Sequence, residues 1–128
     1  MMDIPATKSS PRIRYSAPDN TLTIIGESYP ENSFALFQPL FDWLNAELPG
    51  MSELRVEIEI PYMNSSSTKC ILDLLEILGD SSAHNCATSV VWRHEEENER
   101  ALELAEEFQE ESNVPFTLVP VNVRNPSR

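Results

Sequence analysis

The chain has 128 residues, enough for one domain with a single core and too few for two. An apolar fraction of 41% excludes a disordered chain of this charge, which would be poorer in Leu, Ile and Val. Nine basic side chains against 21 acidic ones leave a net charge of −12. Such a surface repels phosphate backbones and anionic lipid, so neither nucleic acid nor membrane is an expected partner, and a basic protein surface is.

No apolar run approaches the ~20 residues that span a bilayer, and Met1–Arg12 has no apolar stretch resembling a signal peptide. Cys70 and Cys86 are too few for a disulfide framework, and Cys70 falls inside an apolar helical pattern, as a buried thiol does. The expected compartment is the reducing cytoplasm.

Residues 1–11 are polar, contain Pro5 and Pro11, and are expected to be loosely ordered. Arg12–Tyr15 alternates and suits an edge strand. Asp19-Asn20 is a turn signal, and Thr21–Ile25 alternates with β-branched residues, which predicts a hairpin. Leu36, Phe37, Leu40, Phe41, Leu44 and Leu48 recur at helical spacing across 33–48. Pro39 is awkward there: it deletes a hydrogen bond and clashes with the preceding turn, so the helix either begins near Gln38 or opens with a separate turn. Glu53–Ile60 alternates Leu54, Val56, Ile58 and Ile60 with charged residues, the pattern of a strand buried on one face only. That pattern excludes a sheet covered on both faces.

A second helix follows, with Ile71, Leu74, Leu75 and Leu78 on one side and Gly79 as its stop. Thr88–Arg93 reads as a strand, 98–111 as a third helix with Ala101, Leu104, Ala105 and Phe108 inward, and Phe116–Val121 as a last strand. Residues 122–128 are expected to be loose. The order is β-β-α-β-α-β-α-β in a single domain over 1–128, a mixed sheet with three helices on one face.

Chemistry concentrates in Asn64-Ser65-Ser66-Ser67-Thr68-Lys69, at the junction between the half-buried strand and the second helix. A single Ser, Thr or Asn there caps a helix for roughly 1 kcal/mol. Five polar residues in a row exceed that need, and an anion site or a phosphorylated hydroxyl is the sharper alternative. A phosphate would add about −1.5 to −2 charges, partly stabilised by the helix N-terminus and by Lys69. The loop Gly26–Ser33 follows the preceding strand in the same way. If the two strands are neighbours, both loops share one end of the sheet. The acidic run Glu95–Glu99 suits a solvated helix start, with Glu96 and Arg100 as an i, i+4 pair. His84 and His94 lack metal-ligand spacing to each other or to the cysteines, and no nucleophile elbow, P-loop or glycine-rich phosphate loop occurs. No catalytic residue, metal or cofactor is expected.

The strings Gly26-Glu27-Ser28-Tyr29-Pro30-Glu31-Asn32-Ser33, Tyr62-Met63-Asn64-Ser65-Ser66-Ser67 with Lys69, Asn98-Glu99-Arg100 with Leu104-Ala105-Glu106-Glu107-Phe108, and Pro115-Phe116 occur in this order. In these motifs and their spacing the chain resembles the SiaC family of bacterial regulatory phosphoproteins, across nearly its whole length. The resemblance implies a STAS-like fold and a place in a partner-switching circuit. The unphosphorylated form would bind and activate a diguanylate cyclase, raising cyclic di-GMP and promoting biofilm growth. A cognate serine/threonine kinase would switch it off and a PP2C-like phosphatase would restore it. The family's phosphorylated hydroxyl follows the Asn, which here makes it Ser65; Tyr29, Pro30, Glu31, Asn32, Tyr62, Asn64, Ser66, Ser67 and Lys69 would serve partner binding. Two positions depart from the family pattern: the phosphoacceptor is Ser in place of Thr, and Thr68 replaces an apolar residue. The same fold with the same loop also occurs in antagonists of anti-sigma factors acting on transcription, the alternative function. A small hydrolase using Ser65 would need a base beside it.

Overall fold

The computed structural model describes residues 2–82 and 85–122. Among them, six strands form one mixed sheet: β1 (Asp3–Ile4), β2 (Arg12–Ser16), β3 (Thr21–Ile25), β4 (Glu53–Glu59), β5 (Ala87–Glu95) and β6 (Phe116–Val121). The helices α1 (Ser33–Glu47), α2 (Ser65–Ser82) and α3 (Glu99–Glu111) join the last four strands, and a 3-10 turn at Leu48–Gly50 follows α1. Spatial order equals sequence order. β1, β2 and β3 run antiparallel, and β3 to β6 run parallel.

Register follows from the alternation of apolar residues. Ile13, Ile24, Ile58, Trp92 and Leu118 lie in one row across five strands, and Tyr15, Leu22, Val56, Val90 and Phe116 lie in the next. A slip of one residue would place Glu57 under the helices and Ile58 in water, so the register is strongly specified. Phe37, Leu40 and Leu44 of α1, Ile71, Leu74 and Leu78 of α2, and Ala105 and Phe108 of α3 cover these rows. Fully burying each large side chain stabilises by about 1.5–3 kcal/mol. On the uncovered face Glu57 receives hydrogen bonds from Arg55 (2.7 Å) and Arg93 (3.0 Å). Burial pushes the Glu57 carboxyl up, but the two guanidinium groups outweigh it and hold it below the usual range.

The structure corrects several expectations. Asp3–Ile4 forms β1 against Arg14 and Ile13, and Met2 is buried, its carbonyl accepting from Tyr15 N (3.0 Å). The N-terminal residues are therefore tied down, and β2 is an inner strand. α1 begins at Ser33 and runs through Pro39 without interruption. Ala35 and Pro39 are both exposed, so the carbonyl deprived of its donor lies on the water side. Burial of Phe37, Leu40 and Leu44 then outweighs the proline. Gly79 does not stop α2, which continues to Ser82. A Cβ at Gly79 would lie 3.4 Å from Asn113 Cβ, in contact with the segment that follows α3. Pro120 is compatible with β6 because that strand is an edge. Val121 beside it faces β5, accepting from Glu96 N (2.9 Å), so the missing N–H of Pro120 falls on the open side. His84 and the C-terminal residues 123–128 lie outside the described residues.

Candidate functional site

β3 and β4 are parallel neighbours, so the loops that follow them leave from the same end of the sheet. They also pair with each other: Ser28 N donates to Tyr62 O (2.9 Å) and Asn64 N donates to Ser28 O (2.9 Å). Gly26 makes the exit possible. Its φ of +127° is one that side-chain-bearing residues rarely adopt, and a Cβ would stand 3.2 Å from Pro11 Cα.

Asn64 organises the start of α2. Its carbonyl accepts from Thr68 N (3.0 Å), its Oδ1 caps Ser67 N (2.9 Å), and its Nδ2 donates to Pro30 O (3.3 Å). One side chain thus caps the helix and ties it to the other loop. The three serines that follow are equivalent in sequence and divide completely in space. Ser67 is fully buried, its hydroxyl 2.7 Å from Ser28 Oγ and 2.9 Å from Ser33 Oγ. Ser66 is half-buried, hydrogen-bonded to Ser33 Oγ (2.8 Å) and donating to Asn64 Oδ1 (3.2 Å). Thr68 Oγ1 donates to Asn64 O (3.1 Å). Ser65 is exposed, and its hydroxyl makes no hydrogen bond among the described residues.

The two loops that meet at the start of α2 carry aromatic and polar groups. Tyr62 is 55% exposed and meets Tyr29 edge-on, with ring centroids 5.9 Å apart. Tyr29 is held from the N-terminal segment, its N–H donating to Ser9 O (2.7 Å) and its hydroxyl to Lys8 O (2.9 Å). Glu31 and Asn32 are exposed and Pro30 is half-buried; Asn32 Oδ1 caps α1 by accepting from Ala35 N (3.0 Å). Lys69 is exposed and paired with Asp73 at 3.8 Å. Tyr29, Pro30, Glu31, Asn32, Tyr62, Asn64, Ser65 and Ser66 are thus brought together. Ser67 is among them, with its side chain fully buried and bonded to both Ser28 and Ser33, where it positions the loops. Sequence reasoning missed the pairing of Ser28 and Ser33 with the serine cluster. Those contacts span 31 to 39 residues, and no local pattern carries them.

Charge is distributed unevenly along this rim. In a chain with 21 acidic residues, the first turns of α1 and α2 contain none, so the N-terminal N–H groups of α2 have no carboxylate in their own turn, and Glu31 of the facing loop is the acidic residue named at the site. The arrangement suits covalent addition of an anion to Ser65 from an external donor. No described neighbour accepts the Ser65 proton, so the base for attack by this hydroxyl on a donor would be supplied by the protein that delivers the group. Nor, among the described residues, do three or more His, Cys, Asp or Glu side chains stand close enough to hold a metal ion. No helix among these residues is long and apolar enough to cross a membrane.

Comparison with known proteins bears on family and fold. The chain is 36% identical over 118 residues to an uncharacterised protein of Pseudomonas aeruginosa (strain UCBPP-PA14), covering 91% of this chain and 94% of that one. It is similar in structure to a chain in the crystal structure of diguanylate cyclase SiaD in complex with its activator SiaC from Pseudomonas aeruginosa. There the TM-score is 0.88 at 34% identity, covering 94% of this chain and 100% of that one. Against apo-SiaC from the same organism the TM-score is 0.82 at 34% identity, with 93% and 99% covered. The model of the SiaC family of regulatory phosphoproteins matches residues 4–121, and the chain belongs to that family.

Proposed function

We propose that this protein is a phosphorylation-controlled activator of a diguanylate cyclase, with Ser65 as its phosphoacceptor. The observation that carries the reading is the division of the serine cluster: Ser65 alone is exposed and unbonded, while Ser66, Ser67 and Thr68 are committed to the network. A relative of the same fold is an activator in complex with diguanylate cyclase SiaD, and the exposed Tyr29 and Tyr62 beside Ser65 suit a docking surface for such a partner. In this reading the unphosphorylated form binds and activates the cyclase. A cognate serine/threonine kinase adds the phosphate, and a PP2C-like phosphatase removes it. The dianion acts locally: the helix N-terminus tolerates it, and the desolvated interface does not.

The test has two arms. Incubation with the cognate kinase and ATP, followed by intact-mass and phosphopeptide analysis, is expected to place one phosphate on Ser65. Phosphate on Thr68 alone, or none, would refute the assignment. In a binding titration with the cyclase, Ser65→Asp is expected to weaken affinity at least about tenfold and Ser65→Ala to preserve it. Equal binding by the two variants would overturn the charge mechanism.

A further inference from the structure

Residues 2–11 reach the site from outside the two loops that form it. Their first part is tied to the sheet: Met2 is buried, and Asp3–Ile4 pairs with Arg14 and Ile13. Their last part is a turn closed on itself. Thr7 N donates to Ser10 O (3.0 Å), Ser9 N donates to Thr7 Oγ1 (3.2 Å), and the Thr7 and Ser10 hydroxyls bond each other. Ser10 is buried, so Thr7 supplies the partner that its hydroxyl would otherwise lack. This segment meets the Gly26–Ser33 loop twice. At the root of the loop, Pro11 lies where a Cβ on Gly26 would stand 3.2 Å from Pro11 Cα. Further along, the carbonyls of Lys8 and Ser9 accept from the hydroxyl (2.9 Å) and the N–H (2.7 Å) of Tyr29. Backbone and ring of that tyrosine are therefore held by two successive peptide groups. The Tyr62 hydroxyl makes no hydrogen bond among the described residues, and its ring stands edge-on against Tyr29. The pose of the aromatic pair is set at Tyr29, and that of Tyr29 at the turn.

We propose that the Thr7–Ser10 turn is a positioning element, which fixes the exposed Tyr29–Tyr62 pair in the pose that a partner meets. The inference rests on the reading of these two tyrosines as docking residues for the cyclase. It gives neighbouring residues unlike roles. Lys8 and Ser9 contribute their carbonyls, whatever side chains they carry. Thr7 and Ser10 contribute hydroxyls that shape the turn, and no hydrogen bond joins either side chain to Tyr29. An aromatic side chain that must be ordered on binding costs affinity, and one already held in place does not. Loosening the turn should therefore weaken binding through Tyr29 without removing any group that the partner touches.

Amide hydrogen exchange of the full chain and a binding titration with the cyclase test this together. Thr7→Ala, at an exposed position, takes away the partner of the Ser10 hydroxyl and the acceptor of Ser9 N. It should speed exchange of the Tyr29 amide at least about tenfold and weaken cyclase affinity at least about threefold. The urea midpoint and the exchange of core amides such as Ile58 should stay at the parent's values, which separates positioning from a general loss of stability. Thr7→Ser keeps the hydroxyl and should restore both readouts. Ser9→Ala keeps the carbonyl that Tyr29 uses and should remain within about twofold of the parent in both. Parent-like exchange of the Tyr29 amide in Thr7→Ala would overturn the proposal. So would equal weakening by Ser9→Ala, which would make the segment a direct contact of the partner. If the parent itself does not bind the cyclase, the docking reading fails, and the exchange measurement still decides whether the turn holds Tyr29.

Discussion

The starts of α2 and α3 follow successive parallel strands and are built to one plan. Each is capped by an asparagine whose Oδ1 accepts from the N–H three residues on: Asn64 from Ser67 at 2.9 Å, and Asn98 from Ala101 at 3.0 Å. They differ in charge and in anchoring. α3 carries its own anion, Glu99, in the first turn, and α2 carries none. The cap of α2 is fastened to the Gly26–Ser33 loop through Pro30 and Ser33, whereas the side-chain hydrogen bond of Asn98 is local. The contrast separates a helix start that carries its own carboxylate from one that would gain charge only through the proposed phosphorylation of Ser65, beside a cap tied to the neighbouring loop.

The largest effect should come from removing the anchored cap. Asn64→Ala loses the cap and leaves the Ser66 and Ser67 contacts without their organiser, so it should cost about 2 kcal/mol, against ~1 kcal/mol for Asn98→Ala. Urea unfolding measures both, and equal losses would show that the anchoring adds nothing. Next come the serines. Ser67→Ala leaves the buried Ser28 hydroxyl without its partner, while Ser33 keeps Ser66 and Asn64, and should cost about 1 kcal/mol; Ser65→Ala should stay within ~0.5 kcal/mol of the parent in the same titration.

Charge at the two starts should then trade places. Ser65→Asp is expected to raise stability by ~0.3–1 kcal/mol and Glu99→Gln to lower it by a similar amount at low ionic strength, with both effects shrinking in salt. The smallest effect lies on the uncovered face, away from both helix starts. The folded carboxyl of Glu57 is held below its unfolded value, so its contribution is complete above the unfolded value near ~4.3 and is lost as pH falls through the folded one. Thermal unfolding at stepped pH should show the gap between the parent and Glu57→Gln closing on acidification. A gap independent of pH would remove the Arg93–Glu57–Arg55 contact from the account.

Much of the fold was legible because its signals are local. Leu54, Val56 and Ile58 alternate with charges, and alternation alone demands a strand with one wet face. The helix over residues 99–111 shows in the spacing of Ala101, Leu104, Ala105 and Phe108. Where local rules failed, packing had overruled them. Pro39 argues against a continuous α1, and the burial of Phe37, Leu40 and Leu44 outweighs it. Gly79 reads as a stop, yet α2 runs through it to Ser82 with Asn113 packed alongside. Asp3–Ile4 is too short to announce itself as a strand without its partner β2.

The site divides the same way. That a helix begins at a serine cluster behind Asn64 is determined by the sequence, since capping is a matter of residues three apart. Which hydroxyl is free is not: Ser65, Ser66 and Ser67 are chemically identical, and only their bearing around the helix distinguishes them. Ser28 and Ser33 engage Ser67, and Ser33 also engages Ser66, across more than thirty residues of chain. The tertiary structure alone leaves Ser65 facing water, because a helix turns successive side chains by about 100° and the neighbouring loop stands on one side only.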